Sequence, residues 1–194
     1  EYTKLSKLAL ANDCTMRFSA TVCGGLPVVN IGQRDLIGAQ FEEISGVFNS
    51  TSNFVLSALE QGKDTAAAVK EAQDRGFAEA DPSTDLEGFD TANKLVIIAN
   101  SILKIEAKIH NVSVSGITDV TLDMVTKARA QNNVIKLIAR AKRDSTTALG
   151  FRLTVKAETV PMHSFLGSCG GTDMGIVFNT DIFEQQSFKT NETG

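Results

Sequence analysis

Two runs late in the chain constrain its fold more than any other feature. In the first, Ile135, Leu137, Ala139 and Ala141 alternate with Lys136, Ile138 and Arg140; in the second, Phe151, Leu153, Val155 and Ala157 alternate with Arg152, Thr154, Lys156 and Glu158. Successive strand side chains point to opposite faces, so this period of two predicts two strands, each with one apolar face. Such a face needs helices over it. The middle of the chain supplies three. Asn49-Ser50-Thr51-Ser52 offers several N-caps before the stripe Phe54, Val55, Ala58 and Leu59, which Gly62 ends. Asp64 is placed to cap a second helix through Ala66–Val69 to Arg75, with Gly76 as its terminator. Asp85 is placed to cap a third, from Leu86 to about Leu103, whose apolar face is Leu95, Ile98, Ala99 and Ile102. Gly88 inside that helix costs about 1 kcal/mol against Ala, which suggests a close approach to the backbone there.

The remaining elements read as follows. Leu5, Leu8, Ala9 and Ala11 suggest a helix, and Phe18–Ile31 a strand, a glycine turn and a second extended piece. Phe41–Phe48 reads as a strand, Val112 and Val114 as a short one, and Gly175–Phe183 as the last. A further helix is capped near Thr118 or Thr121. Clustered helices among grouped strands define an α+β fold, a mixed β-sheet with helices packed on one face, over residues 1–194 as one domain.

Composition narrows function mainly by exclusion. A net charge of −4 without a long basic run gives no reason to expect nucleic acid. No apolar run approaches the ~18 to 20 residues of a membrane span, and Glu1-Tyr2-Thr3-Lys4 has no signal-peptide form. The three cysteines, Cys14, Cys23 and Cys169, lack disulfide or zinc spacing, and cytoplasmic residence is the simplest expectation. Neither a G-x-G-x-x-G after a strand nor a phosphate-binding G-x4-G-K-[ST] occurs. His110 and His163 have no ligand-spaced partners, and no Ser/His/Asp set is readable. Both ends of the chain look cut.

The chemistry concentrates between Gly76 and Lys94, where Glu79, Asp81, Asp85 and Glu87 crowd Pro82 and are followed by Asp90 and Lys94. Asp90 and Lys94 stand at i and i+4 on one helix face. They are either a surface ion pair worth about 0.3 to 0.5 kcal/mol or, in a semi-buried site, a carboxylate orienting an ammonium for proton transfer. The loop carboxylates are either solvated helix caps or a pocket for a substrate ammonium. Spacing leaves both questions open. Thr21–Pro27 could present carbonyls to a cation, or be a tight glycine turn.

Taken together, these segments resemble the homoserine dehydrogenase family, specifically its catalytic and dimerisation domain. The resemblance rests first on E-A-D-P-x-x-D-L-x-G-x-D-x-A-x-K-L, matched from Glu79 through Asp85, Gly88 and Asp90 to Lys94 and Leu95. Ala20–Pro27 is similar to the family's A-x-V-x-G-G-x-P, and Gly46–Leu56 to its G-x-x-N-G-T-x-N-[YF]-I-L. Lys136–Ala139 and Val160–Leu166 fit more weakly. The similarity covers nearly the whole chain in order.

The resemblance implies NAD(P)-linked interconversion of L-homoserine and L-aspartate 4-semialdehyde, on the route to threonine, methionine and isoleucine. On matching positions, Glu79 and Asp85 would bind the amino and hydroxyl end of the amino-acid substrate. Lys94, held by Asp90, would contact the reacting oxygen, and Asn49, Ser50 and Thr51 would line the site. The carbonyls of Val22 and Gly24 would contribute to a monovalent-cation site. The family's N-terminal Rossmann dinucleotide-binding domain is missing from residues 1–194, as is a C-terminal segment that returns to it, so NAD(P) is expected in the intact protein and not on this stretch alone. A homodimer joined through the sheet is also implied. The chain departs from the family pattern at Ser50, where the family has glycine, and at Ser19, where some members have a carboxylate. These departures keep open a non-catalytic ligand-binding or dimerisation module of the same fold.

Overall fold

The computed structural model describes residues 2–191; Glu1 and 192–194, on which the reading of the chain ends partly falls, lie outside the described residues. One six-stranded sheet organises the domain, in the order β2-β4-β3-β1-β5-β6. Its strands are β1 (Phe41–Val47), β2 (Val112–Val114), β3 (Asn133–Arg143), β4 (Phe151–Pro161), β5 (Asp173–Thr180) and β6 (Glu184–Asn191). Every pairing is antiparallel except β2 with β4. The sheet is therefore mixed, as expected. The helices are α1 (Tyr2–Ala11), α2 (Val28–Asn30, continued by a π-helical turn over Ile31–Asp35), α3 (Ser50–Glu60), α4 (Thr65–Asp74), α5 (Ser83–Leu86), α6 (Phe89–Ser101) and α7 (Leu122–Ala130).

Register delivers the apolar alternation to one face. Ala141 stands opposite Leu153 and Ala139 opposite Val155, while Ile44 lies between Ala141 and Phe178. All are buried beneath α3 and α6, whose Val55, Leu59, Leu95, Ile98 and Ala99 close the core. At about 25 cal/mol per Å2 of apolar surface, each such side chain contributes about 1.5 to 3 kcal/mol when fully buried.

The opposite face is less polar than its sequence suggests. Ile138, Val47 and Val177 form a second cluster there with Leu166 and Cys169, from the connection between β4 and β5. Lys136, alternation notwithstanding, is 1% exposed and paired with Glu60 at 3.4 Å.

The helix caps at Asn49, Asp64 and Thr121 form as read: each accepts a hydrogen bond from a main-chain N–H in the first turn of its helix. Four expectations are corrected. Phe18–Ile31 contains no strand. Cys23 and Gly24 both have positive φ (58° and 49°), which breaks an extended run, and Pro27 then leads into α2. Gly175–Phe183 is not the last strand: β5 ends at Thr180 and β6 follows, and the turn between them exposes Ile182 and Phe183, which carry the apolar pattern past the end of β5. The third helix is two. Asp85 does not cap it but lies within the single turn of α5, and Gly88, at φ 87°, separates that turn from α6. A left-handed residue cannot continue a right-handed helix. Gly88 is also approached closely: a Cβ there would lie 3.3 Å from Val155 Cγ1 and 3.4 Å from the Gly116 Cα.

Candidate functional site

The site begins where β1 ends. Phe48 is fully buried, and Asn49 turns the chain into α3, with an extended backbone and its Oδ1 accepting the Ser52 N–H at 2.7 Å. Facing this junction is the start of α6, fixed by the Gly88 break. Asp90 stands in its first turn and Lys94 one turn further on.

Lys94 Nζ donates to Asp90 Oδ2 at 2.7 Å and to the Phe48 carbonyl at 2.8 Å. The two side chains are 21% and 31% exposed, so this is not a solvated surface pair. Burial on that scale reduces screening and leaves the ammonium in one place. An ammonium has three N–H donors; among the described residues Asp90 and the Phe48 carbonyl are its two close acceptors.

Asn49 joins the two halves. Its Nδ2 donates to Asp85 Oδ1 at 2.7 Å and to Asp90 Oδ2 at 2.8 Å. Asp85, Asn49, Asp90 and Lys94 thus form one continuous polar chain. Among the described residues the second carboxylate oxygen of Asp85 has no partner, which leaves it able to accept from an ammonium.

The acidic loop is tethered from the side. Thr51, 4% exposed, donates its hydroxyl to the Phe77 carbonyl at 2.9 Å, and Gln73 Nε2 donates to the carbonyls of Glu79 and Ala80 at 3.1 and 3.2 Å. Thr51 therefore anchors the loop through its side chain. Glu79 is exposed at the loop's outer edge, and Ser50 is half-buried at the first position of α3. Asp81 turns back onto Ser83, whose side chain and N–H hold its carboxyl below the usual carboxylate value.

Sequence reasoning missed Phe48 and Gln73, which act through a carbonyl acceptor and an amide outside any motif. A main-chain acceptor leaves no residue-type signal. Gly116 was missed too. A Cβ there would sit 2.1 Å from the Leu86 carbonyl oxygen, so the loop after β2 packs directly beneath the α5–α6 break and donates the Ile117 N–H to that same oxygen at 2.7 Å.

Among the described residues no glycine-rich strand-to-helix turn of the dinucleotide-binding kind is present. Val22 precedes, and Gly24 belongs to, the turn in which Cys23 and Gly24 have positive φ. Among the described residues, no group of three or more His, Cys, Asp and Glu is placed to hold a metal.

Comparison with known proteins supplies the family. A family model for homoserine dehydrogenase matches residues 27–194. The chain is similar to the NAD(+)-dependent homoserine dehydrogenase of Pseudomonas canavaninivorans, with 40% identity over 73% of this chain and 40% of that protein. It is similar as well to the homoserine dehydrogenase of Methanocaldococcus jannaschii, with 35% identity over 95% of this chain and 53% of that one. The crystal structure of a homoserine dehydrogenase from Thiobacillus denitrificans superposes with a TM-score of 0.91 at 29% identity, covering 96% of this chain and 43% of that one. The fold is the α+β fold of solved homoserine dehydrogenases, which are oxidoreductases. The chain belongs to the homoserine dehydrogenase family. It spans about half the length of the curated relatives it matches.

Proposed function

We propose that this chain carries the substrate-binding and proton-handling part of a homoserine dehydrogenase, acting on L-homoserine and L-aspartate 4-semialdehyde together with NAD(P). The observation that supports this best is the unbroken chain from Asp85 through Asn49 and Asp90 to Lys94, with an acceptor open at one end and a donor at the other. An amino acid bearing a reacting oxygen has the complementary pair: an ammonium for the carboxylate and an oxygen for the lysine.

In this reading Asp85, with Glu79 at the rim, takes the substrate ammonium by charge-assisted hydrogen bonds. The third Lys94 N–H points at the substrate oxygen. Negative charge develops on that oxygen as the aldehyde is reduced, and a preformed ammonium stabilises it and can donate the proton. Asp90 keeps the ammonium aimed. The role of Ser50 is to border this space where the family has glycine. Cytoplasmic residence and a homodimer built on the sheet belong to the same reading. No helix of the described residues is long and apolar enough to cross a membrane.

Homoserine oxidation by the intact protein, followed through NAD(P)H absorbance, tests the assignment. Lys94→Ala and Asp90→Ala are expected to abolish turnover while leaving the fold intact; normal rates in both would sink it. The exposed position of Glu79, outside the Asn49 network, favours the second reading, a ligand-binding or dimerisation module. Calorimetric titration with homoserine separates the two: that module predicts no binding, or binding that Glu79→Gln leaves unchanged.

A further inference from the structure

Asn49 enters as a residue lining the substrate space, yet its side chain is turned toward the protein. The residue is 5% exposed, and all three polar functions of its amide are engaged: Oδ1 by the Ser52 N–H, and Nδ2 by both Asp85 and Asp90. The preceding residue grips the same cluster through its main chain, the Phe48 carbonyl accepting from Lys94. Two adjacent residues at the β1–α3 junction therefore hold three side chains that arrive from 36 to 46 positions away.

Two carboxylates brought together repel, and each would turn toward water if nothing joined them. One NH2 group presents two donors at a fixed angle and takes one oxygen from each. We propose that Asn49 is the positioning residue of the site: it acts through Asp85 and Asp90, sets the spacing between the carboxylate that faces the substrate ammonium and the one that aims Lys94, and does not itself contact substrate. This rests on the roles given above to Asp85 and Lys94. It also accounts for the residue type. Serine, aspartate and asparagine cap a helix about equally well, but of the three only asparagine can cap α3 and donate to two carboxylates at once.

The difference between capping and donating supplies the test. Asn49→Ser keeps a capping oxygen and removes both amide N–H donors, leaving one short hydroxyl that cannot donate to two carboxylates at once. In the intact protein it is expected to melt within a few degrees of the parent, while kcat for homoserine falls about 10- to 100-fold, as for a displacement of about 1 Å at a reacting group. In a double-mutant cycle, adding Asn49→Ser to Asp90→Asn is expected to lower kcat less than twofold further, because the two act as one unit. A crystal structure of Asn49→Ser should show the Asp85 and Asp90 carboxylates rotated from their present positions. Parental kinetics in Asn49→Ser, fully multiplicative effects in the cycle, or carboxylates that stay in place would each overturn the proposal. Normal turnover in Lys94→Ala overturns the reading of the reaction instead, and the crystallographic arm still decides whether Asn49 positions the carboxylates.

Discussion

The Phe48 carbonyl accepts a hydrogen bond from Lys94 Nζ at 2.8 Å, so the end of a central strand fixes the head of a lysine that belongs to a helix. The contact links the sheet, the most buried part of the domain, directly to the group proposed to meet the substrate. Replacing Lys94 by Arg should therefore not be conservative. A planar guanidinium cannot keep the Phe48 and Asp90 contacts and leave a single donor in the same place. Lys94→Arg is expected to retain the charge and fold but lose at least about tenfold in kcat for homoserine, measured by steady-state kinetics.

Gly116 supports the site from beneath. Any side chain there meets the Leu86 carbonyl and the Glu87 backbone rather than a flexible group, so the α5–α6 break must move. Gly116→Ala is expected to destabilise the protein by about 1 to 3 kcal/mol, the usual range for overpacking. It should also weaken homoserine binding, because Asp85 and Asp90 flank that break. Chemical denaturation and calorimetry check the two parts separately.

Lys136 is 1% exposed and depends on Glu60, which also pairs with Arg129 at 3.1 Å. Removing one partner of a buried pair leaves an uncompensated charge, at about 3 to 5 kcal/mol. Glu60→Ala should show a loss of that order in urea denaturation. Lys136→Met in the same background should recover much of it, since an apolar chain of similar length needs no counter-ion.

Asp144 gives a pH-dependent contribution at the β3–β4 turn. Hydrogen bonds from Thr146, joined by Arg152, lower its carboxyl to about 2. A folded value below the unfolded one, about 3.9, means that the stabilisation is complete above the unfolded value and is lost as pH falls through the folded value. The stability difference between the parent and Asp144→Asn should be constant from neutral pH down to about pH 5 and shrink toward about pH 2. A difference that grows on acidification would contradict the assignment.

The cysteines should react unequally. Burial pushes the Cys169 thiol up to about 11, whereas Cys14 is exposed. Thiolate is the reactive form, so maleimide at neutral pH should label Cys14 readily and Cys169 only after denaturation, as mass spectrometry of the digested protein would show.

Local physics made much of this molecule legible in its sequence. The alternation in β3 and β4, the stripe Leu95–Ile98–Ala99–Ile102 and the caps at Asn49, Asp64 and Thr121 follow from periods and side-chain acceptors within a few residues of each other. The i,i+4 spacing placed Asp90 beside Lys94, and the motif from Glu79 to Lys94 contains three of the side chains that the structure links through Asn49. Tertiary structure decided the rest. Whether that pair was solvated or held depended on the Phe48 carbonyl, 46 positions away, and the purpose of Asn49 depended on two carboxylates at separations of 36 and 41. Lys136, on the alternate face of its strand, is buried against Glu60. Periodicity reports which face a residue lies on, but not what the folded chain later brings against that face, and it was that second step that turned an acidic loop and an ion pair into a single polar chain.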